Sequence, residues 1–249
     1  MNFEPSVERL IPELTKSEEL TLLARTLWVE GYSDHLAGHI TYNLGDGTFL
    51  CNPWFLTWDE FLPSQVIRID IEGRVVEGDW PVPPGIPLHL AVHKQRPGVA
   101  WVVHNHPLYG TLWSDLNEVP PAMDQSSAQG GADIALVAQY EGGVNDPTAA
   151  DRAVRGLGDA EVGLLRGHGV VILGSSAAVV YQRAIALETR CQHAWYLRCA
   201  GSDLVSPVPA WWMDRQRETI GPRVDGIWGA SIRRALRTEP QLLHSYVTN

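Results

Sequence analysis

Cysteine, positive charge and long apolar runs are scarce in this chain, and each shortage excludes something. The 249 residues hold three cysteines, Cys51, Cys191 and Cys199. The count is odd, and the spacing fits neither a disulfide framework nor a zinc ribbon. Cys191 and Cys199 fall on one predicted helix and are read as small apolar packing groups. No run approaches the roughly 18–20 apolar residues that a membrane span requires. The N-terminus has no basic region followed by an apolar stretch, so no secretory signal is read there. Lys and Arg number 19 against 29 Asp and Glu, a formal charge of -10. A surface of that sign repels phosphate backbones and argues against nucleic acid as a partner. Neither G-x-G-x-x-G nor G-x-x-x-x-G-K-[ST] occurs, so no nucleotide motif is present. These absences together predict a cytoplasmic protein without a membrane or nucleic-acid partner.

What is present fits one large globular domain. Hydrophobic residues make up 45% of the chain and charged residues 19%, a usual balance for a buried core. Helical spacing is expected over 16–30, 88–95, 148–157 and, most clearly, 176–199. Thr15 and Glu18 form a candidate capping box for the first of these. Strands are expected over 40–43, 48–52, 67–71, 74–76, 100–104, 134–137, 161–165 and 170–173. Hairpin turns fall around Gly45-Asp46-Gly47 and Glu72-Gly73. Strands joined mostly by hairpins favour an α/β sandwich with a mixed or antiparallel central sheet over a strictly alternating parallel array. Residues 1–200 are read as the main domain. Residues 201–249 are read as a C-terminal arm with a short helix or two, packed on that domain or on a neighbouring subunit.

Chemistry concentrates on histidine. His104-Asn105-His106 closes an apolar strand, and residues i and i+2 of a strand share a face. Two imidazoles so placed can close on one ion. His168 stands between Gly167 and Gly169 at a break between two apolar runs, where glycine permits close backbone approach. Three neutral imidazoles with open positions suit Zn, Mn, Fe or Co.

Several segments resemble the class II aldolase/adducin family. They are His89 to Pro107, with His89, His93, His104 and His106; Leu164 to Gly174 around His168; Ala184 to Glu188; Gln139-Tyr140-Glu141-Gly142; and Leu36 to Thr41. The resemblance runs from about residue 15 to 200. It implies a three-layer α/β/α sandwich and a homotetramer with active sites at subunit interfaces. It also implies one divalent metal ion per chain on His104, His106 and His168. On the same ground His39 and Asp34 lie near the site as proton-moving groups, and Glu188 stands behind a metal histidine.

The chain departs from the sugar-phosphate aldolases of this family, as its adducin-like branch does. Those enzymes carry an acid/base Glu four residues before the first His of the H-x-x-x-H block, and here that position is Gly85. The family's Asn is His39, its Ser-Gly pair is Trp54-Phe55, and its Ser-Ser pair is Pro83-Pro84. A phosphate dianion against Trp, Phe and Pro would carry a heavy desolvation cost. Trp54, Phe55 and Trp58 point instead to a flat or apolar substrate body, with Gly85 and Tyr140 also lining it. Arg68 and Arg166 are read as surface salt-bridge partners.

The reading favoured by these residues is a metal-dependent carbon–carbon lyase acting on a small-molecule carboxylate. Decarboxylation suits a site without the Glu, because departing CO2 leaves its electrons behind and the first step needs no base. Three alternatives stay open. They are an aldolase acting on a non-phosphorylated hydroxy-keto acid, a non-haem iron oxygenase, and a non-catalytic adducin-like interaction module.

Overall fold

A computed structural model describes residues 10–140, 142–201, 206–219 and 221–243. Eight strands form one sheet in the order β4-β3-β2-β1-β5-β8-β7-β6. They are β1 (His39–Asn43), β2 (Thr48–Cys51), β3 (Ile67–Asp70), β4 (Val75–Glu77), β5 (Trp101–Asn105), β6 (Ile134–Val137), β7 (Val162–Leu165) and β8 (Gly169–Gly174). Every neighbouring pair is antiparallel except β6 with β7, which is parallel. The sheet is therefore mixed, as the hairpin-rich order implies.

Alternation along the strands sorts side chains into two layers. Trp101 and Val103 of β5, with Val170 and Ile172 of β8, face one core. That core is closed by α1 (Lys16–Val29), α6 (Ala177–Cys199) and α8 (Gly221–Thr238). Val102 of β5, with Val171 and Leu173 of β8, faces a second core beneath α2 (Ile86–Gln95) and α5 (Pro147–Leu157). The result is a three-layer α/β/α sandwich.

The helix ends follow local chemistry. Thr15 Oγ1 accepts from Glu18 N–H at 3.2 Å, while Glu18 Oε2 accepts from Thr15 N–H at 2.8 Å, completing the capping box. Ser176 caps α6, its hydroxyl accepting from the N–H of Val179.

The remaining helices are α4 (Gln125–Ala128), where none was expected, and α7 (Ala210–Thr219) in the C-terminal arm. The structure differs from the sequence expectations in three further places. α3 (Leu108–Leu116) follows the H-x-H directly, where no helix was expected. α8 is an 18-residue helix rather than a short one. Its Val224, Trp228 and Ile232 enter the same core as α1 and α6, so this length packs on the domain itself. Cys191 is buried as expected, but Cys199 is exposed, because α6 turns that residue away from the core at its last position.

Candidate metal centre

Three strand ends bring the histidines together. His104 lies on β5, one residue inside its end, and pairs in register with Val171 of β8. His106 follows two residues later, beyond the strand. His168 immediately precedes β8. Gly167 adopts a left-handed φ of 64°, which turns the chain sharply there. A Cβ on Gly169 would lie 2.6 Å from the carbonyl oxygen of Asn105, so glycine is what lets β8 approach the H-x-H this closely. One ligand atom from each of His104, His106 and His168 lies within 4.8 Å of the others. The imidazole centroids are 4.8–5.0 Å apart.

The donor set fits a divalent ion. Val170 O accepts from Nδ1–H of His104 at 2.8 Å. Asp34 Oδ2 accepts from Nδ1–H of His106 at 2.7 Å. Both bonds fix the tautomer and leave Nε2 as a free lone pair. Nε2 of His106 and Nδ1 of His168 are buried without a partner, an arrangement that costs free energy unless something binds there. Burial, followed by neighbouring imidazole charge, holds His104 well below its ordinary pKa and His168 at about 4. Both are therefore neutral at pH 7, the form a metal requires.

Asp34 reaches the site from the loop after α1. Burial raises its pKa, but hydrogen bonds from His35 and His106 and their charges lower it by more. It stays ionised beside His106.

His39 opens β1 directly opposite His104 in the sheet register. Residues so paired share a face, and the two rings stack with centroids 5.5 Å apart. Burial, then the charge of His106 and His168, lowers His39 to about 3. A Cβ on Gly85 would lie 2.6 Å from His39 Nδ1 and closer still to its Cε1. The imidazole thus occupies the space that a side chain at position 85 would enter.

Glu188 is placed differently from the sequence expectation. Its carboxylate accepts from the backbone N–H groups of Tyr109 and Gly110, each at 2.8 Å. It therefore caps α3, which begins two residues beyond His106, rather than bonding a metal histidine. An anion suits a helix N-terminus, yet burial dominates and raises Glu188 to about 6.

The aromatic residues divide. Trp54 and Phe55 stack with centroids 4.2 Å apart, just beyond β2. Trp54 N–H donates to the carbonyl of Pro81, which ties the pair to the run leading to Gly85. Phe55 is 56% exposed at a φ of 72°. For a bulky residue that backbone costs about 1–3 kcal/mol and persists only where surrounding structure enforces it. Trp58 corrects the sequence expectation. It is 2% exposed within the core, and its indole N–H donates to the carbonyl of Gly38, so it supports the loop before His39 and offers no face to a ligand. Tyr140 is exposed, and a Cβ on Gly167 would meet its ring at 3.1 Å, beside His168. Glu141 lies outside the described residues. Arg68 is bonded to Asp46 and Thr48, and Arg166 donates to the carbonyl of Ala138.

Sequence reasoning missed Thr41, which bonds both His89 and His93. Two histidines one helical turn apart on α2 were the available signal.

Comparison with known proteins agrees with this architecture. Residues 18–195 match the Class II Aldolase and Adducin N-terminal domain family, and the chain belongs to it. A 3,4-dihydroxyphthalate decarboxylase of Arthrobacter keyseri is 29% identical over 206 residues, spanning 75% of this chain and 80% of that one. A 5-deoxy-D-ribulose 1-phosphate aldolase of Bacillus thuringiensis is 24% identical over 191 residues, spanning 76% and 89%. The crystal structure of an aldolase II superfamily protein from Pseudomonas syringae superimposes with a TM-score of 0.79 at 27% identity, covering 89% and 92%. Relatives of the chain thus include both aldolases and decarboxylases. No helix among the described residues is long and apolar enough to cross a membrane.

Proposed function

We propose that this protein is a divalent-metal-dependent carbon–carbon lyase that decarboxylates a non-phosphorylated carboxylate with an aromatic or otherwise apolar body. The observation that carries the proposal is the exchange at Gly85 and His39. Position 85 offers no carboxylate for aldol acid–base work, and an imidazole fills its place beside the triad.

A divalent ion held by His104, His106 and His168 supplies Lewis-acid stabilisation of negative charge on a substrate oxygen. The remaining tasks fall to the chain. Asp34 orients His106. Trp54 and Phe55 offer an apolar platform for the substrate body. His39 carries the proton. Loss of CO2 itself needs no base, and in a hydroxy-substituted carboxylate the hydroxyl proton that passes to His39 is the one later delivered to carbon. The bond to the carboxyl group then breaks, and CO2 departs. The electron pair stays on the substrate carbon, where His39 returns the proton. The 3,4-dihydroxyphthalate decarboxylase, one of the decarboxylases among the relatives, supports this reading. The small-molecule carboxylate substrate and a homotetramer with interfacial sites are part of the same proposal.

The test is metal analysis of the purified protein followed by a CO2-release assay with hydroxylated aromatic and α-keto carboxylates. One Zn or Mn per chain with CO2 released is the expected result. Aldehyde release without CO2 would replace the proposal with the aldolase reading. Oxygen consumption with bound iron would replace it with the oxygenase reading. Protein without metal would favour a binding module.

A further inference from the structure

Behind His39 runs a buried line of polar groups that the proposed reaction leaves unused. Thr41 lies two residues along β1, on the same face as His39. Its Oγ1 is 2.9 Å from His89 Nδ1 and 2.9 Å from His93 Nε2. His93 Nδ1 is 3.3 Å from the carbonyl oxygen of Val99. His89, Thr41 and His93 are all 5% exposed or less.

The hydrogens on this line are settled from one end. A carbonyl only accepts, so His93 carries its hydrogen on Nδ1. Burial keeps the His93 ring neutral at pH 7, which makes Nε2 a bare acceptor. The single hydroxyl hydrogen of Thr41 must go to that acceptor. The Thr41 oxygen then takes Nδ1–H of His89, and His89, also neutral by burial, is left with a bare Nε2. That nitrogen is buried without a partner, and so is Nδ1 of His39. The two rings meet edge-to-face with centroids 5.8 Å apart, and since neither nitrogen has a direct partner, one bridging water would join them. Adjacent rings therefore carry one bare acceptor and one unpartnered ring nitrogen.

We infer that His93, Thr41 and His89 form a relay that sets the tautomer of His39, holding its hydrogen on Nδ1 and leaving the Nε2 lone pair for the substrate. His89 is a positioning residue in this scheme, and Thr41 is the link that transmits the choice. The inference rests on the proton-carrying role proposed above for His39. It also gives a role to two histidines on α2 that belong to neither the triad nor the substrate platform.

The experiment is long-range 1H–15N correlation NMR on zinc-loaded, 15N-histidine-labelled protein at neutral pH, beside kinetics of Thr41→Val and Thr41→Ser. The wild type is expected to show His39, His89 and His93 with hydrogen on Nδ1. Thr41→Val, which removes only the hydroxyl, is expected to give mixed tautomers at His89 and His39. It is also expected to lower kcat about tenfold with KM unchanged, and Thr41→Ser should restore it. A wild-type His39 carrying its hydrogen on Nε2 would overturn the inference, and so would unchanged tautomers in Thr41→Val. The NMR result stands whether or not CO2 is released, so failure of the relay and failure of the decarboxylase reading are distinguishable.

Discussion

The imidazole of His39 stands where a side chain on residue 85 would have to go. A Cβ there would come within 2.6 Å of His39 Nδ1, so the two positions are sterically exclusive. Gly85→Ala is expected to displace the ring and cut turnover at least about tenfold, while metal content stays near one ion per chain. The pair is also expected to behave non-additively. Gly85→Glu alone should destabilise the fold, and His39→Asn with Gly85→Glu should recover stability in denaturant titrations. Additive effects of the two changes would show that the positions do not compete.

Asp34 holds His106 through a 2.7 Å bond that crosses 72 residues of sequence. Asp34→Asn keeps the shape and removes the charge. Metal affinity is expected to fall about 10–100-fold, measured by competition with a chromophoric chelator. His104→Ala is expected to abolish stoichiometric binding. Retention of one ion per chain in that variant would remove the triad assignment.

Metal-free stability should depend on pH through buried imidazoles outside the triad. Burial pushes His93 to about 4, outweighing its bond to the Val99 carbonyl, and burial also holds His89 well below its ordinary value. Unfolded histidine titrates near 6.5. Between those values the unfolded chain binds more protons than the folded one. The stability is therefore fully present above pH 6.5 and is lost as the pH falls, by about 1.4 kcal/mol per pH unit for each such histidine. Urea titrations at pH 7.5 and 4.5 measure the loss, and His93→Gln should make the dependence shallower. An unfolding free energy constant across this window would mean that these histidines titrate in the fold as they do in the unfolded chain.

Glu188 accepts two backbone N–H groups at the start of α3. Glu188→Gln turns an amide donor towards one of them and is expected to cost about 1–3 kcal/mol of stability. Because the carboxylate does not bond a triad histidine, metal stoichiometry should stay at one. Loss of metal without loss of stability would assign Glu188 to the metal site instead.

How much of this was legible varied with the kind of signal. The triad was, because H-x-H at a strand end and a histidine between two glycines are local patterns. The mixed sheet was, because hairpin turns are written in consecutive residues. α3 was not, since Pro107 and Gly110 interrupt its helical character and its N-terminus is completed by Glu188, some 78 residues away. α8 carries Gly221, Pro222, Gly226 and Gly229, which weaken its local propensity. Its length is supported by Val224, Trp228 and Ile232 entering the core. Trp58 resembled Trp54 in sequence, but only tertiary packing separates a core indole from a half-buried one. Thr41 itself gave no sign, since a threonine in a strand is ordinary until two histidines are folded against it; only the spacing of His89 and His93 on α2 hinted at a shared partner.

The bond from His104 to the Val170 carbonyl joins residues 66 apart, and it is made only when β8 docks beside β5. A nascent chain that has emerged as far as β7 owns two of the three imidazoles and none of the backbone that aims His104. Pairings of such sequence separation close late and slowly. An ion on the proposed triad would therefore meet a scaffold already formed rather than nucleate it. Cells short of metal would accumulate a folded, empty protein rather than an unfolded one.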